Sequence, residues 1–493
     1  MSAVEELGAL LRVRLLQLCA LTVLLTGVGV IAFQLKYCVL DFDIWWHLKV
    51  GDWIIEHLAV PHTGILSRTV ANRPWVAYSW GYEVLLSRVY AWFGLVGIGV
   101  FGALLTIAVA YAVYWMLLRL SGQFWLACIG TGVVCSAFLF NAMPRPFFFS
   151  IVLYSVTLTL LLEANRRGRV QTLYWLPLVF VVWANLHIQF IYGLFLVGLL
   201  MAVCLVQRLM NRLGIAPGFL LVSGLPSAKL AAIFAACVLA TLIGPNFYHP
   251  YVAVYAYSKA KFTYSIIIEL QPLTFRGYSH YAELLLAAAG FFAVGWQKKL
   301  DPFKVLLLAV ATLLAFRTMR DAWFICVSAA ACAVDFSAPE AQRDRPETWP
   351  EKAGVAAALT VLLLLFSNGT DFNQRGLDRA ISANYPVNAV NFLRRNPVPG
   401  MLYNNLNWGG FLMWYMPEYP VAVDGRNDLY GDELDRLFFN SEIAAKSYMT
   451  DPYLNEASVI LLGSELPLAK ILTVDPRFQL IYRDQIATVY ARR

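Results

Sequence analysis

The chain has 493 residues, of which 59% are hydrophobic and only 14% charged, against about 25% charged in ordinary soluble domains. With a mean hydropathy of +0.61, that composition excludes a soluble globular protein, and the net charge of +7, spread in short clusters, excludes a nucleic-acid footprint. Eight cysteines (19, 38, 128, 135, 204, 237, 326 and 332) show no CxxC or Cys/His spacing, so neither a disulfide framework nor a zinc site is read from them.

The first apolar run, Leu15 to Phe33, is too long for a signal-peptide core and lacks a small-residue cleavage site, which makes it an anchor. Apolar runs then follow at 94–118, 124–142, 150–163, 172–186, 190–207, 228–244, 281–297, 302–317, 320–336 and 352–367. With the anchor at 15–36 this gives about eleven spans, several below the ~20 residues of a perpendicular crossing. Arg12 and Arg14, Arg119, the run Arg166, Arg167 and Arg169, Arg208 and Arg212, Lys298 and Lys299, and finally Arg343, Arg345 and Lys352 all fall on one side under that count. The positive-inside rule makes that side cytoplasmic and places the C-terminus outside.

The first outer loop, 37–93, holds the densest polar constellation, Asp41-Phe-Asp43-Ile-Trp-Trp-His47, followed by Lys49, Asp52, Glu56 and His57. Asp43 to His57 has apolar residues at helical spacing, with Trp45, Trp46 and Trp53 suited to the headgroup zone, so it reads as an interfacial helix; Tyr78 to Phe93 reads similarly. Asp41 and Asp43 are spaced to hold a divalent cation or to act as a base, and equally to cap the helix that follows. Arg317 and Arg320, at the ends of two spans joined by a tight turn, and Arg145, between Pro144 and Pro146, suit a lipid phosphate held by bidentate bonds or ordinary snorkelling. His187 closes a span, and Glu269 follows Ile266-Ile-Ile in the outer loop 245–280; each is a candidate contact beside a structural alternative.

Beyond 367 the long apolar runs stop. Residues 368–383 read as a linker and 384–493 as a small soluble α/β domain. Helices are expected at Pro386–Arg395, Gly410–Tyr415 and Asp432–Ala445, and strands at Met401–Tyr403, Val421–Val423, Ser458–Leu462, Gln479–Tyr482 and Ile486–Tyr490. Asp424-Gly-Arg426 reads first as an ion pair holding a strand-end turn, with substrate contact behind it.

Taken together, Asp41 to His57, Val60-Pro-His-Thr, Ser67-Arg-Thr, Pro74-Trp75 and Trp80-Gly-Tyr-Glu83 resemble the first outer loop of bacterial C-type integral-membrane glycosyltransferases. Arg145-Pro-Phe-Phe-Phe-Ser150, Trp183-Ala-Asn-Leu-His187, Arg320-Asp-Ala-Trp-Phe324, Asn405-Leu-Asn-Trp408-Gly-Gly-Phe-Leu412 and Asp424-Gly-Arg-Asn-Asp-Leu-Tyr430 extend the likeness to an uncharacterised branch. The resemblance implies a polytopic helical bundle in the bacterial inner membrane that moves a sugar from a polyprenyl-phosphate donor to an acceptor at the extracytoplasmic face. It also implies Asp43 and Asp41 as base or as ligands to a divalent cation (Mg or Mn), Arg317, Arg320 and Arg145 on the donor phosphate, and His47, His187, Glu269, Trp408, Asp424 and Arg426 as acceptor contacts or supports. Membrane lipids and the lipid-linked sugar are the implied partners, and nucleic acid is not among them. The chain departs from the pattern at Gly64, where an Asp is expected after Pro-His-Thr, at Ile188, and at Gly244-Pro-Asn-Phe. The alternative is therefore a non-catalytic accessory subunit that keeps the fold. Transport fits less well, because the span centres are almost uncharged and no inverted repeat is seen.

Overall fold

The computed structural model describes residues 3–34, 40–139, 145–335, 349–367 and 374–493. Cys38, Pro144, Arg343, Arg345 and positions 368–373 of the expected linker lie outside the described residues. In chain order the first helices are α1 (Ala3–Gln34), α2 (Phe42–His57), α3 (Trp80–Ser121), α4 (Phe124–Phe138), α5 (Phe147–Arg167), α6 (Leu176–Leu186) and α7 (Phe190–Arg212). They are followed by α8 (Ser227–Thr241), α9 (His249–Tyr257), α10 (Lys261–Ile266), α11 (Tyr278–Gly295), α12 (Pro302–Arg317), α13 (Ala322–Val334) and α14 (Trp349–Ser367). Among the described residues each of the eleven apolar runs overlaps a helix. Among the described residues four stretches are long and apolar enough to cross a membrane: Glu6–Val30, Trp80–Ser121, Phe147–Arg167 and Phe190–Arg212. The chain is an integral membrane protein of mostly helical build.

Contacts divide the chain into two compact units. The first comprises residues 1–35, 102–244 and 268–370. At its centre stands α13, in which every residue except Ala333 is buried. Its small side chains let α11 come close: a Cβ on Gly290 would lie 3.1 Å from both the Cα and the Cβ of Ala329. Such near approach is how apolar helices gain dispersion energy where water supplies no driving force. Tyr154 of α5 meets Ser328 of α13 at 2.6 Å, satisfying two buried hydroxyls at once. Apolar side chains on the unit's surface, among them Val23, Leu209, Leu285 and Phe292, are the ones a bilayer covers. At one end of α5, Glu163 takes a two-pronged bond from Arg119, and Arg166 bonds Asp335, which also pairs with Lys304. These charges come from connections that the sequence pattern assigns to a single side.

The second unit comprises 36–101, 245–267 and 371–493. Its C-terminal part holds α15 (Gln374–Asn384), α16 (Val387–Arg395), α17 (Gly409–Tyr415), α18 (Asn427–Glu442), α19 (Pro452–Glu456) and α20 (Pro467–Leu472). The strands are β1 (Leu402–Asn404), β2 (Val459–Gly463), β3 (Phe478–Arg483) and β4 (Ala487–Arg492). They form one sheet in the order β1-β2-β4-β3, with β1 parallel to β2 and the other two pairings antiparallel. Residues 421–423, expected as a strand, are not one. Buried Asn404 replaces the ladder: its Oδ1 accepts from Ala422 N at 2.8 Å and its Nδ2 donates to Val423 O at 2.8 Å.

The division expected near residue 384 is not where these contacts divide, because the first loop packs on the C-terminal residues. Arg68 donates to Leu402 O at 3.3 Å and Tyr453 O at 3.1 Å, and Arg68 N bonds Val421 O at 3.0 Å. Nor does α2 present its tryptophans to headgroups. Trp45 is fully buried, edge-on to Tyr385, Phe411 and Tyr415, and Trp46 is buried beside it. Only the far end of α2, with Trp53 stacked on exposed His57, keeps the outward character that the spacing predicts. The boundary between Tyr78–Phe93 and the apolar run from 94 is a real break in α3, where Gly94 takes φ 60°.

Candidate functional site

In the first unit, a turn joins α12 to α13. Arg317 ends α12, Thr318 is extended, and Met319–Asp321 form a single 3-10 turn. Thr318 Oγ1 donates to Asp321 Oδ2 at 2.7 Å and closes the turn from inside. A strap is pinned across it: Met319 N bonds Gln271 O at 3.0 Å, and Leu273 N bonds Phe316 O at 3.3 Å. The strap delivers Glu269, whose Oε1 accepts from Arg320 Nη2 at 2.5 Å and from Arg145 Nη1 at 3.4 Å. Arg145, 124 positions before Glu269, thus shares one oxygen atom with Arg320. Burial alone would push the Glu269 carboxyl upward, but the two guanidinium groups hold it below the ordinary carboxylate range.

Asp321 is bonded by Tyr192 at 2.5 Å. Arg317, Arg320, Arg145 and Glu269 therefore gather at one end of the first unit, at the opposite terminus of α5 from Glu163 and Arg166. Two helices begin there, α5 two residues after Arg145 and α13 two after Arg320, and helix N-termini add partial positive charge. His187, in the same unit, has Nδ1 2.9 Å from Ser150 Oγ, which also accepts from Trp183 Nε1 at 2.8 Å. The turn after it leads to Tyr192, so His187 and its partners fix a loop that supports Asp321. Nearby, Gly244 is required by packing, since a Cβ there would lie 2.3 Å from Asn185 Oδ1.

In the second unit, Asp41 is the N-cap of α2 and its Oδ1 accepts from Asp43 N at 3.1 Å. The capping alternative thus holds for Asp41. Asp43, in the first turn, accepts from Trp46 Nε1 at 3.1 Å, and its carboxylate abuts Gly425, where a Cβ would come within 2.4 Å of Oδ1. His47 is buried with Nδ1 3.2 Å from Glu83 Oε1. Asp424 and Arg426 are both fully buried and joined by two bonds of 2.8 Å; Arg426 also donates to Ile65 O, while Tyr430 donates to Asp424 Oδ2 at 2.7 Å. The Arg426 guanidinium lies 4.8 Å from the Trp75 ring centroid. Asp424 and Arg426 thus form the turn-holding pair of the first reading. Trp408 is buried as well, and the glycines after it exist for close approach: a Cβ on Gly410 would lie 2.9 Å from Phe42 O.

The divalent cation is tested on this geometry. Among the described residues no three His, Cys, Asp or Glu side chains gather as a ligand set. Asp41 is committed to its cap, so the pair does not fit a metal. The seven described cysteines are free thiols.

No family model matches this chain, and no curated protein does. Among solved structures, the crystal structure of ArnT from Cupriavidus metallidurans bound to undecaprenyl phosphate is similar at a TM-score of 0.43 and 12% identity. That alignment covers 95% of this chain and 97% of the other.

Several residues of these clusters carry no signal in the sequence. Ser150, Tyr192 and Ser67 look like ordinary residues of apolar runs or loops. Glu83 was open to detection, since a lone carboxylate on an apolar helix needs a buried partner, here His47.

Proposed function

We propose that this chain is a glycosyltransferase of the bacterial inner membrane that moves a sugar from a polyprenyl-phosphate donor to an acceptor. In this reading about eleven helices cross the membrane, the N-terminus is cytoplasmic, and the C-terminal α/β part and the arginine cluster lie on the extracytoplasmic side. The observation that carries it is the convergence of Arg145 and Arg320 on a single anionic oxygen, at the end of the helical unit opposite its Arg119, Arg166 and Lys304 charges. Two guanidinium groups aimed at one oxygen are what a phosphate ester requires, and apolar helix surface beside them suits a polyprenyl tail. Arg317, acting on the same turn, adds to the field.

The reaction is displacement at the anomeric carbon. An acceptor oxygen forms the new bond, the bond to the phosphate oxygen breaks, and polyprenyl phosphate leaves with the electron pair. Asp43 is assigned the acceptor's proton, because Asp41 is occupied as a cap while Asp43 Oδ1 takes the Trp46 N–H. Replacing Asp43 by Asn should abolish transfer from a polyprenyl-phosphate sugar in membranes while leaving donor binding intact, whereas Arg320→Ala should weaken donor binding itself. Unchanged transfer in both variants would remove the proposal.

One observation favours the accessory-subunit reading instead. Gly64 N bonds Arg73 O at 2.8 Å, and a Cβ at 64 would lie 2.1 Å from Val70 O, so this loop is built to exclude the Asp that the resemblance leads one to expect. Stoichiometric co-purification with a larger membrane complex, without transfer activity, would decide for it.

A further inference from the structure

Glu269 does more than fill space in the arginine cluster. Both of its ion pairs are made through the same atom, Oε1, and all three side chains remain within reach of solvent or lipid: Glu269 is 43% exposed, Arg320 36% and Arg145 25%. The carboxylate oxygen stands where the oxygen of a bound phosphate ester would stand if it were held by the same two guanidinium groups. Its own position is not set by those charges alone. The strap that bears it is fastened by backbone bonds on either side of the turn, Met319 N to Gln271 O and Leu273 N to Phe316 O. The carboxylate is therefore presented to the arginines by the fold.

We infer that Glu269 is a specificity-determining competitor, a built-in anion that occupies the seat between Arg145 and Arg320 and that only a lipid-anchored phosphate ester displaces. The inference rests on the donor-phosphate reading of this cluster. Its consequences follow from charge. With Glu269 ionised, Arg145, Arg317, Arg320 and the carboxylate together carry two positive charges rather than three. A phosphodiester, such as a sugar joined through phosphate to a polyprenol, sets one negative charge against the Glu269 carboxylate. The phosphomonoester left after transfer bears up to two, since its second ionisation falls near pH 6, and meets the Glu269 carboxylate as a like charge. A small phosphate in solution has no apolar tail whose burial offsets the exchange, so the seat rejects it. Glu269 thereby favours donor over spent carrier and lipid over free phosphate.

The test uses the full chain in nanodiscs and compares wild type, Glu269→Gln and Arg320→Ala for binding of a polyprenyl monophosphate and of inorganic phosphate. Glu269→Gln should bind the polyprenyl monophosphate about threefold to tenfold more tightly than wild type, as befits loss of one like charge at a partly exposed site, and should gain detectable affinity for inorganic phosphate. Arg320→Ala should weaken both. If wild type binds the lipid, Arg320→Ala loses it, and Glu269→Gln is unchanged or weaker, the competitor role is overturned while the phosphate site stands. If wild type shows no lipid binding and neither variant restores it, the phosphate reading falls and the inference with it. Glu269→Ala, with thermal unfolding recorded beside it, guards against a local change peculiar to the amide.

Discussion

Arg426 and Asp424 illustrate what a buried ion pair does at the scale of residues. Burial opposes the charge on Arg426, but the Asp424 carboxylate more than compensates and raises the guanidinium above its ordinary value. Removing one partner leaves the other charged and without its counterion in a site of no solvent exposure. Arg426→Ala should therefore destabilise the second unit by about 3–5 kcal/mol. The double replacement Asp424→Ala with Arg426→Ala should cost much less than the two single changes added together. Thermal unfolding of the four proteins in detergent checks this, and additive losses would show that the pair acts as two independent groups. The first reading of Asp424-Gly-Arg426 as a turn brace was accessible because acid and arginine two residues apart reach each other locally. That Tyr430, Ser67 and Ile65 complete the same cluster was not accessible, since Ser67 and Ile65 approach from more than 300 positions away.

Among the secondary-structure elements, local signals were read well and long-range packing was not. The C-terminal strands at 402–404, 459–463, 478–483 and 487–492 sit where β-branched and aromatic residues alternate between turn residues. Within the Trp408-Gly409-Gly410 segment, which the resemblance gives as an acceptor contact, Gly410 is where α17 meets α2. Nothing in the local sequence distinguishes a glycine kept for substrate approach from one kept for helix approach. The second reading makes its own prediction. Gly410→Ala pushes a methyl group against Phe42 O and Trp46 N, which are backbone atoms and cannot swing aside. The substitution should cost about 1–3 kcal/mol and change the near-ultraviolet circular dichroism of buried Trp45 and Trp46. Gly218→Ala, which meets nothing within 4 Å, serves as a control and should leave both unchanged.

Across the whole molecule, composition and the rhythm of apolar runs carried the membrane character and the mostly helical build, because a bilayer imposes length and hydropathy on every crossing. The grouping of the first loop with residues 245–267 and the C-terminus depends on contacts that no local pattern encodes. One consequence reaches the entire second unit. Burial pushes Asp435 and Glu442 up to about 7 and Asp428 up to about 6. Asp435 faces Thr263 of α10, with Asp432, Asp428 and Arg73 around it. These three groups retain protons in the folded chain at pH values where the unfolded chain has lost them. Their contribution to stability is full below the ordinary carboxylate range near pH 4 and is lost as pH rises to about 7. Asp432, Asp475 and Asp484 run the other way. Backbone bonds from Phe262 and Thr263 overcome burial at Asp432, the Arg477 guanidinium acts at Asp475, and Ala487 N overcomes burial at Asp484, so all three lie below their usual value. What they contribute is present above about pH 4 and lost only in stronger acid. The two sets together place the stability maximum of this unit in mild acid. Its unfolding temperature should fall from pH 5 to pH 8, and Asp435→Asn should flatten that slope. A profile that rises with pH, or one that Asp435→Asn leaves untouched, would show that these carboxylates are ionised in the folded chain and that α10 and α18 are held together by other means.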